Sequence, residues 1–427
     1  MLFISKTYWM GMPFNFLGEL PDGNEQIPVF LKAQDMRESS GIFYRPSPEK
    51  RQDIAVLVMH PKVDFRRHYC IPDLLEAGIS CLALNTRCAN NDMAAIHEDL
   101  ILDVAAGVSY LKEDQKISQV VLFGNSGGGA LSTMFQAQAL LQPEQRIQNT
   151  PAGDSTKLAR VQMVPADGLI LVSAHRGEGL VLQECIDPSV VDELDPTLTD
   201  DSLDMYHPDN GYAGPGKASS YSAEFVQRYR QAQLDRVKRL DQMALEMVGE
   251  SREHEAKYEA SKGSLGLRER QLLGRLGALE RIMVIYRTMA NLHYTDPSLD
   301  PSPRGMGSLL SERPDLMNMQ SLGFGRVCRP EAWLSTWSGV SSNASLDKHL
   351  PTIIDQPVMV AYAEKDKEIY PKADAEPIWQ MVKAKDKVYK SYLAEHYFEP
   401  EFGAKEAPDV AELMADVVPW ILERFGG

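Results

Sequence analysis

The chain has 427 residues, of which 44% are hydrophobic and 24% charged, the balance of an ordinary globular protein large enough to need no disulfide or metal for its core. A formal net charge of −16 argues against a nucleic-acid partner, which needs a basic face, and against docking on anionic membranes. Five cysteines, Cys70, Cys81, Cys88, Cys185 and Cys328, form no CxxC pair, which suits a reducing compartment rather than a disulfide framework.

The apolar N-terminus, MLFISKTYWMGMPFNFLG, lacks a basic leader and a small-x-small cleavage site, and Pro13 and Asn15 interrupt it, so it does not read as a signal peptide. No other stretch approaches 18 apolar residues, the minimum for a membrane span. The expectation is a cytoplasmic protein whose N-terminal aromatics cover a sheet edge or a partner subunit.

Residues 27–34 and 38–46 read as two short strands in an antiparallel pair. Continuous apolar runs follow at 54–60 (IAVLVMH), 79–85 (ISCLALN), 119–125 (QVVLFGN) and 167–175 (DGLILVSAH); such runs belong to strands buried on both faces. Helical patterns lie between them, near IPDLLEAG, over 97–113 and in GGGALSTMFQAQALL. Strands alternating with helices predict an α/β, doubly wound, mostly parallel sheet.

From about 177 to 330 the alternation stops. Pro/Asp/Gly-rich loops surround two long helical patterns, near 222–250 and 267–292, separated by a charged link, ESREHEAKYEASKG. The first pattern puts Phe225, Tyr229, Val237, Leu240, Ala244 and Met247 on one face. Alternation resumes with a helix near PEAWLSTWS, a strand at 357–363, a helix, a strand at 388–394 and a C-terminal helix. The predicted organisation is a core of 1–176 and 331–427 with a helical insertion at 177–330.

Gly124-Asn125-Ser126-Gly127-Gly128 stands directly after one buried run and directly before a helix. A serine on so sharp a strand-to-helix turn is exposed at the sheet edge, and small neighbours are needed where the elements approach closely. The helix N-terminus beneath it offers N–H groups to a developing oxyanion. An acid and a base then belong in later loops at the carboxyl ends of strands. The first such loop carries Glu364, Asp366 and Glu368, and the second carries His396.

With these features in this order, residues 27–176 and 331–427 resemble the α/β-hydrolase superfamily. The resemblance implies Ser126 as nucleophile, His396 as general base and Asp366 as the carboxylate behind it, with Pro371 near the usual spacing and Ala363 where glycine is common. It implies that 177–330 is a helical cap, inserted after the strand that follows the nucleophile helix, which selects substrate and can join subunits as a homodimer. One oxyanion donor is expected to be the Gly127 N–H. The other should come from the loop His60-Pro61-Lys62, where proline replaces a common glycine, so Lys62 N–H is expected and His60 orders the loop. His60, Asn125 and His175 are the candidate substrate-lining residues, whereas Arg66, Arg67 and Arg87 read as solvated. No spacing of His, Cys or Asp suits a metal and no nucleotide loop is present, so no metal and no cofactor are expected. The implied activity is serine hydrolysis of a small-molecule ester, lactone, thioester or amide through an acyl-enzyme. The alternatives are hydrolysis of a C–C bond in a diketone-like substrate, or a non-catalytic ligand-binding relative.

Overall fold

Alternate residues of one buried run divide cleanly between two cores. Ile54, Val56 and Val58 join one apolar cluster, while Ala55 and Leu57 join another, the period-two signature of a strand with both faces covered. The computed structural model describes residues 18–427 except 92, 262, 401–403 and 405; the N-terminal aromatic segment lies outside them.

The body opens with β1 (Glu25–Lys32), β2 (Glu38–Arg45), β3 (Ile54–Val58), α1 (Ile71–Glu76) and β4 (Ser80–Leu84). It continues with α2 (His97–Ser109), β5 (Gln119–Asn125), α3 (Gly127–Leu140) and β6 (Gly168–Val172). The insertion carries α4 (Glu178–Cys185), β7 (Val190–Asp192), β8 (Asp195–Thr199), α5 (Ala223–Ala260), α6 (Leu267–Gly277), β9 (Met283–Val284) and β10 (Val327–Cys328). The body then resumes with β11 (Val358–Ala363), β12 (Lys387–Tyr392) and a terminal helix, Pro408–Phe425. Eight strands form one sheet in the order β1-β2-β4-β3-β5-β6-β11-β12. β2 runs antiparallel to both its neighbours, and the other pairs are parallel. The chain leaves β3 toward β4 on one side and returns to β5 on the other. The carboxyl ends of β3 and β5 therefore face each other across the switch point, where open α/β sheets bind ligands.

The insertion departs from its predicted outline in three places. α5 runs on through the charged link to Ala260, because the Glu/Lys/Ala-rich segment is a good helix former and Glu253 pairs with Lys257 one turn away at 2.6 Å. The second helix stops at Gly277 instead of continuing to 292, and Met283 and Val284 pair with Cys328 and Val327 as a small ladder. A second hairpin, β7–β8, lies in a Pro/Asp-rich stretch read as loop. The pattern PEAWLSTWS gives only a short helix, Pro330–Ala332, followed by a wide π-type turn, Trp333–Trp337.

α5 is 38 residues long, about 57 Å at 1.5 Å per residue. Ser222 caps its N-terminus by accepting from Phe225 N, and Phe225, Tyr229, Val237, Leu240, Ala244 and Val248 form its buried stripe. Val248 takes the place expected for Met247, which is only half-buried. Val237, Leu240 and Ala244 pack into the same apolar cluster as Val56, Val172, Trp333 and Phe398, so the middle of α5 shares a core with one face of the sheet, while Phe225 and Tyr229 pack in a separate cluster with Met205, Tyr221 and Leu292. A buried ion pair, Arg236 to Glu193 at 2.7 Å, ties α5 to the β7–β8 hairpin. Among the described residues no helix is long and apolar enough to cross a membrane.

Candidate active site

Ser126 sits between β5 and α3 with φ 56° and ψ −129°, a backbone conformation that costs energy in an L-residue and persists only where its surroundings hold it. Three hydrogen bonds do so: Ser126 N donates to Val172 O at 3.0 Å, and Gly129 N and His175 N donate to Ser126 O at 3.0 and 3.1 Å. The glycines are steric necessities. A Cβ on Gly128 would stand 2.3 Å from Met59 O, and one on Gly124 2.6 Å from the Gly129 Cα. Asn125, expected near substrate, is wholly buried beneath the turn. It accepts from Tyr69 Oη at 2.8 Å, contacts His68 Nε2 at 3.2 Å and donates to Val172 O at 2.9 Å, so it braces the elbow instead of lining the cavity.

The two loops that follow β11 and β12 are sewn together. Glu364 N donates to Tyr392 O and Lys365 N to Ala394 O, at 2.8 and 2.9 Å. Asp366 Oδ1 accepts from the N–H groups of Glu368 and Ile369, which fixes the carboxylate and leaves Oδ2 to His396 Nδ1 at 2.6 Å. His396 Nε2 then reaches Ser126 Oγ at 2.9 Å. All three side chains are buried. Of the other carboxylates in the loop, Glu364 turns outward to Ser391 Oγ and Glu368 meets His175 Nε2 at 2.6 Å. Burial would lower the His396 pKa, but the Asp366 carboxylate outweighs it and holds the group up at about 9.

A strand order with an antiparallel second strand, a strained serine after β5, an acid after β11 and a histidine after β12 leave one architecture. The chain has the α/β-hydrolase fold. Neither a protein-family model nor a curated protein matches the sequence. Among solved structures, DcsB in complex with its substrate analogue is similar at 13% identity, with 94% of this chain and all of that chain covered and a TM-score of 0.48. An α/β hydrolase, GrgF, from Penicillium sp. sh18 is similar at 11% identity over 94% of this chain and all of its own, TM-score 0.48. An esterase from Pyrococcus furiosus is similar at 11% identity over 96% of this chain and 98% of its own, TM-score 0.42.

In this α/β-hydrolase fold the loop after β3 differs from the expected oxyanion arrangement. Lys62 N, the donor foreseen there, instead donates to His60 Nδ1 at 3.2 Å, and Val63 N does so at 3.0 Å. His60 Nδ1 is thereby an acceptor, and burial pushes the imidazole pKa well down, so the ring is neutral with its proton on Nε2. That nitrogen lies beside Gly127, 3.0 Å from where a Cβ would be. The Lys62 side chain runs inward, its ammonium 4.2 Å from the centroid of the Trp337 ring. Among the expected arginines, Arg66 pairs with Asp64 and Arg87 with Asp35 and Asp103.

A cavity of about 20 Å³ opens on Ser126 and is lined also by His60, Lys62, Val63, His175, Glu178, Leu309, Phe324, Glu368 and Tyr397. Glu178, Leu309 and Phe324 belong to the insertion. His175 Nε2 stands 3.1 Å from Ser126 Oγ, and the Tyr397 phenol is in hydrogen-bonding range of the same hydroxyl. His175, Glu368 and His396 bring potential metal-ligating atoms within 4.8 Å of one another, but those nitrogens already face Ser126 and the Glu368 carboxylate. Sequence reasoning missed Glu178 and Tyr397. Tyr397 follows His396 directly, whereas Glu178 becomes visible only once the turn after β6 is in place.

Proposed function

We propose that the chain is a serine hydrolase acting on a small carboxylic ester, lactone, thioester or amide. The supporting observation is the unbroken hydrogen-bonded chain Ser126–His396–Asp366 on a strained elbow. Ser126 Oγ attacks the carbonyl carbon while His396 Nε2 takes its proton, and Asp366 stabilises the imidazolium. The tetrahedral oxyanion forms against the Gly127 N–H and the His60 Nε2–H. Collapse returns the proton from His396 to the leaving oxygen, sulfur or nitrogen, and water deacylates the serine by the same steps. The insertion, lending Leu309, Phe324 and Glu178 to the cavity, serves as the cap that selects substrate. The test is covalent labelling by a fluorophosphonate, which needs an activated serine, alongside a screen of acyl esters, lactones and diketones. Strong labelling with turnover of diketones alone would instead favour the C–C hydrolase.

With His396 titrating near 9, its neutral, base-competent form grows as pH rises, so kcat/KM should climb through an apparent pKa of about 9. A flat profile between about pH 6 and pH 10 would sink the assignment. The same raised pKa has a stability counterpart: the stabilisation from charged His396 is full below the unfolded value near 6.5 and is lost as pH rises through 9. For the oxyanion donor, His60→Leu is expected to lower kcat by about 10²–10³-fold with little change in KM. His60→Gln, whose amide can place an N–H near the Nε2 position, should recover part of that loss. Equal kcat in the Leu and Gln variants would show that the ring acts only through packing.

A further inference from the structure

Glu178 is a buried group at the site to which the proposed mechanism gives no role. It opens α4 immediately after the β6 turn and is 1% exposed. Neither carboxylate oxygen receives a hydrogen bond from any described residue. Its nearest cations stop short, with Lys62 Nζ at 3.6 Å and His175 Nδ1 at 3.9 Å. That nitrogen of His175 is itself without a hydrogen-bond partner among the described residues. A buried polar group left in this state is costly, and a carboxylate more so. Such an arrangement is retained where something completes it.

The surroundings keep Glu178 ionised. Burial would raise its pKa, but nearby positive charge, Lys62 foremost, outweighs burial and lowers it. An ionised carboxylate only accepts hydrogen bonds, so its complement must be a donor. The charge already present narrows the choice. Lys62 balances Glu178, and Glu368 adds a second carboxylate to the cavity wall. A substrate carboxylate would meet two like charges, and an ammonium would compete with Lys62 for a charge already matched. A neutral hydroxyl does neither. Position narrows it further, because a single imidazole separates Glu178 from the nucleophile: His175 faces Ser126 Oγ with Nε2 and Glu178 with Nδ1.

We infer that Glu178 is a specificity-determining residue that accepts a hydrogen bond from a neutral hydroxyl on the acyl part of the substrate, on the carbon next to the attacked carbonyl or one further along. The substrate class is thus a hydroxyacyl ester, thioester or lactone. This rests on the hydrolase reading above and deepens it.

The experiment compares matched ethyl esters of butanoic, 2-hydroxybutanoic and 3-hydroxybutanoic acid on the full-length protein and on Glu178→Gln, with fluorophosphonate labelling run in parallel. The wild type should favour one hydroxylated ester over the plain one by tenfold or more in kcat/KM, as expected where a site is built around a substrate hydroxyl. In Glu178→Gln that ratio should fall toward one, since an amide is a weaker acceptor than a carboxylate. A ratio unchanged by the substitution, or a wild type without preference, overturns the inference. Labelling separates the two levels. A labelled serine with no hydroxyl preference removes the substrate class and leaves the hydrolase, whereas an unlabelled serine removes both. Should Glu178→Gln fail to fold, protection of the wild-type serine from the probe by the hydroxylated esters, and not by the plain one, carries the same decision.

Discussion

Replacing Ser126 with alanine is expected to leave the fold intact and to lower kcat by about 10⁴-fold or more. The fold should survive because the three hydrogen bonds that hold the elbow are made by main-chain atoms of residue 126, and alanine carries the same strain at φ 56° that serine does. On the proposed mechanism activity should collapse, because without Oγ His396 has no proton to take and no acyl-enzyme can form. Circular dichroism and thermal melting establish folding, and turnover of the best ester from the screen establishes the loss. A folded variant hydrolysing that ester at near wild-type rate would falsify the acyl-enzyme mechanism, and fluorophosphonate labelling of it would point to another nucleophile.

The second large effect is expected at Asp366. Asp366→Asn should cost about 10⁴-fold in kcat, because an amide cannot stabilise the imidazolium and can hold the ring in the wrong tautomer. It should also move the apparent pKa of the kcat/KM profile down from about 9, since Asp366 is the foremost of the carboxylates that raise it. The neighbouring carboxylates provide the internal comparison. Glu364→Gln should have little effect, its side chain being turned out to Ser391. Glu368→Gln should be intermediate, because it removes the partner of His175 Nε2 and only a lesser part of the negative charge that raises His396. A ranking with Glu368 first would transfer the role of base to His175, which also touches Ser126 Oγ.

Much of this arrangement was legible in the residues themselves. The sheet strands announced themselves as apolar runs because burial on both faces leaves no room for polar side chains, and the elbow did so because close approach to Met59 and Gly129 admits only glycine. Asp366 and His396 followed from chain order. What stayed hidden depended on contacts across the fold. Whether Lys62 N–H was free for an oxyanion turned on where the His60 ring pointed, and Asn125, polar and adjacent to Ser126, is engaged by Tyr69 and Val172. The extent of α5 was concealed differently. A solvated Glu/Lys-rich stretch reads as a linker by its polarity and as a helix by its propensity, and the second proved decisive. Glu178 lies three residues beyond His175 in an unremarkable HRGE sequence and acquires meaning only from the cavity it faces.

The volume beside Ser126 has a kinetic corollary. A space of about 20 Å³ is sufficient for roughly one water molecule, so no acyl chain enters the molecule in this conformation. On the proposed function, binding would then require a more open minor population in which Leu309 and Phe324 withdraw from Ser126. Each tenfold by which the closed form outweighs that population weakens apparent affinity about tenfold. Substitutions at these two positions would then alter KM and the rate of probe labelling together, while leaving the chemical step to the triad.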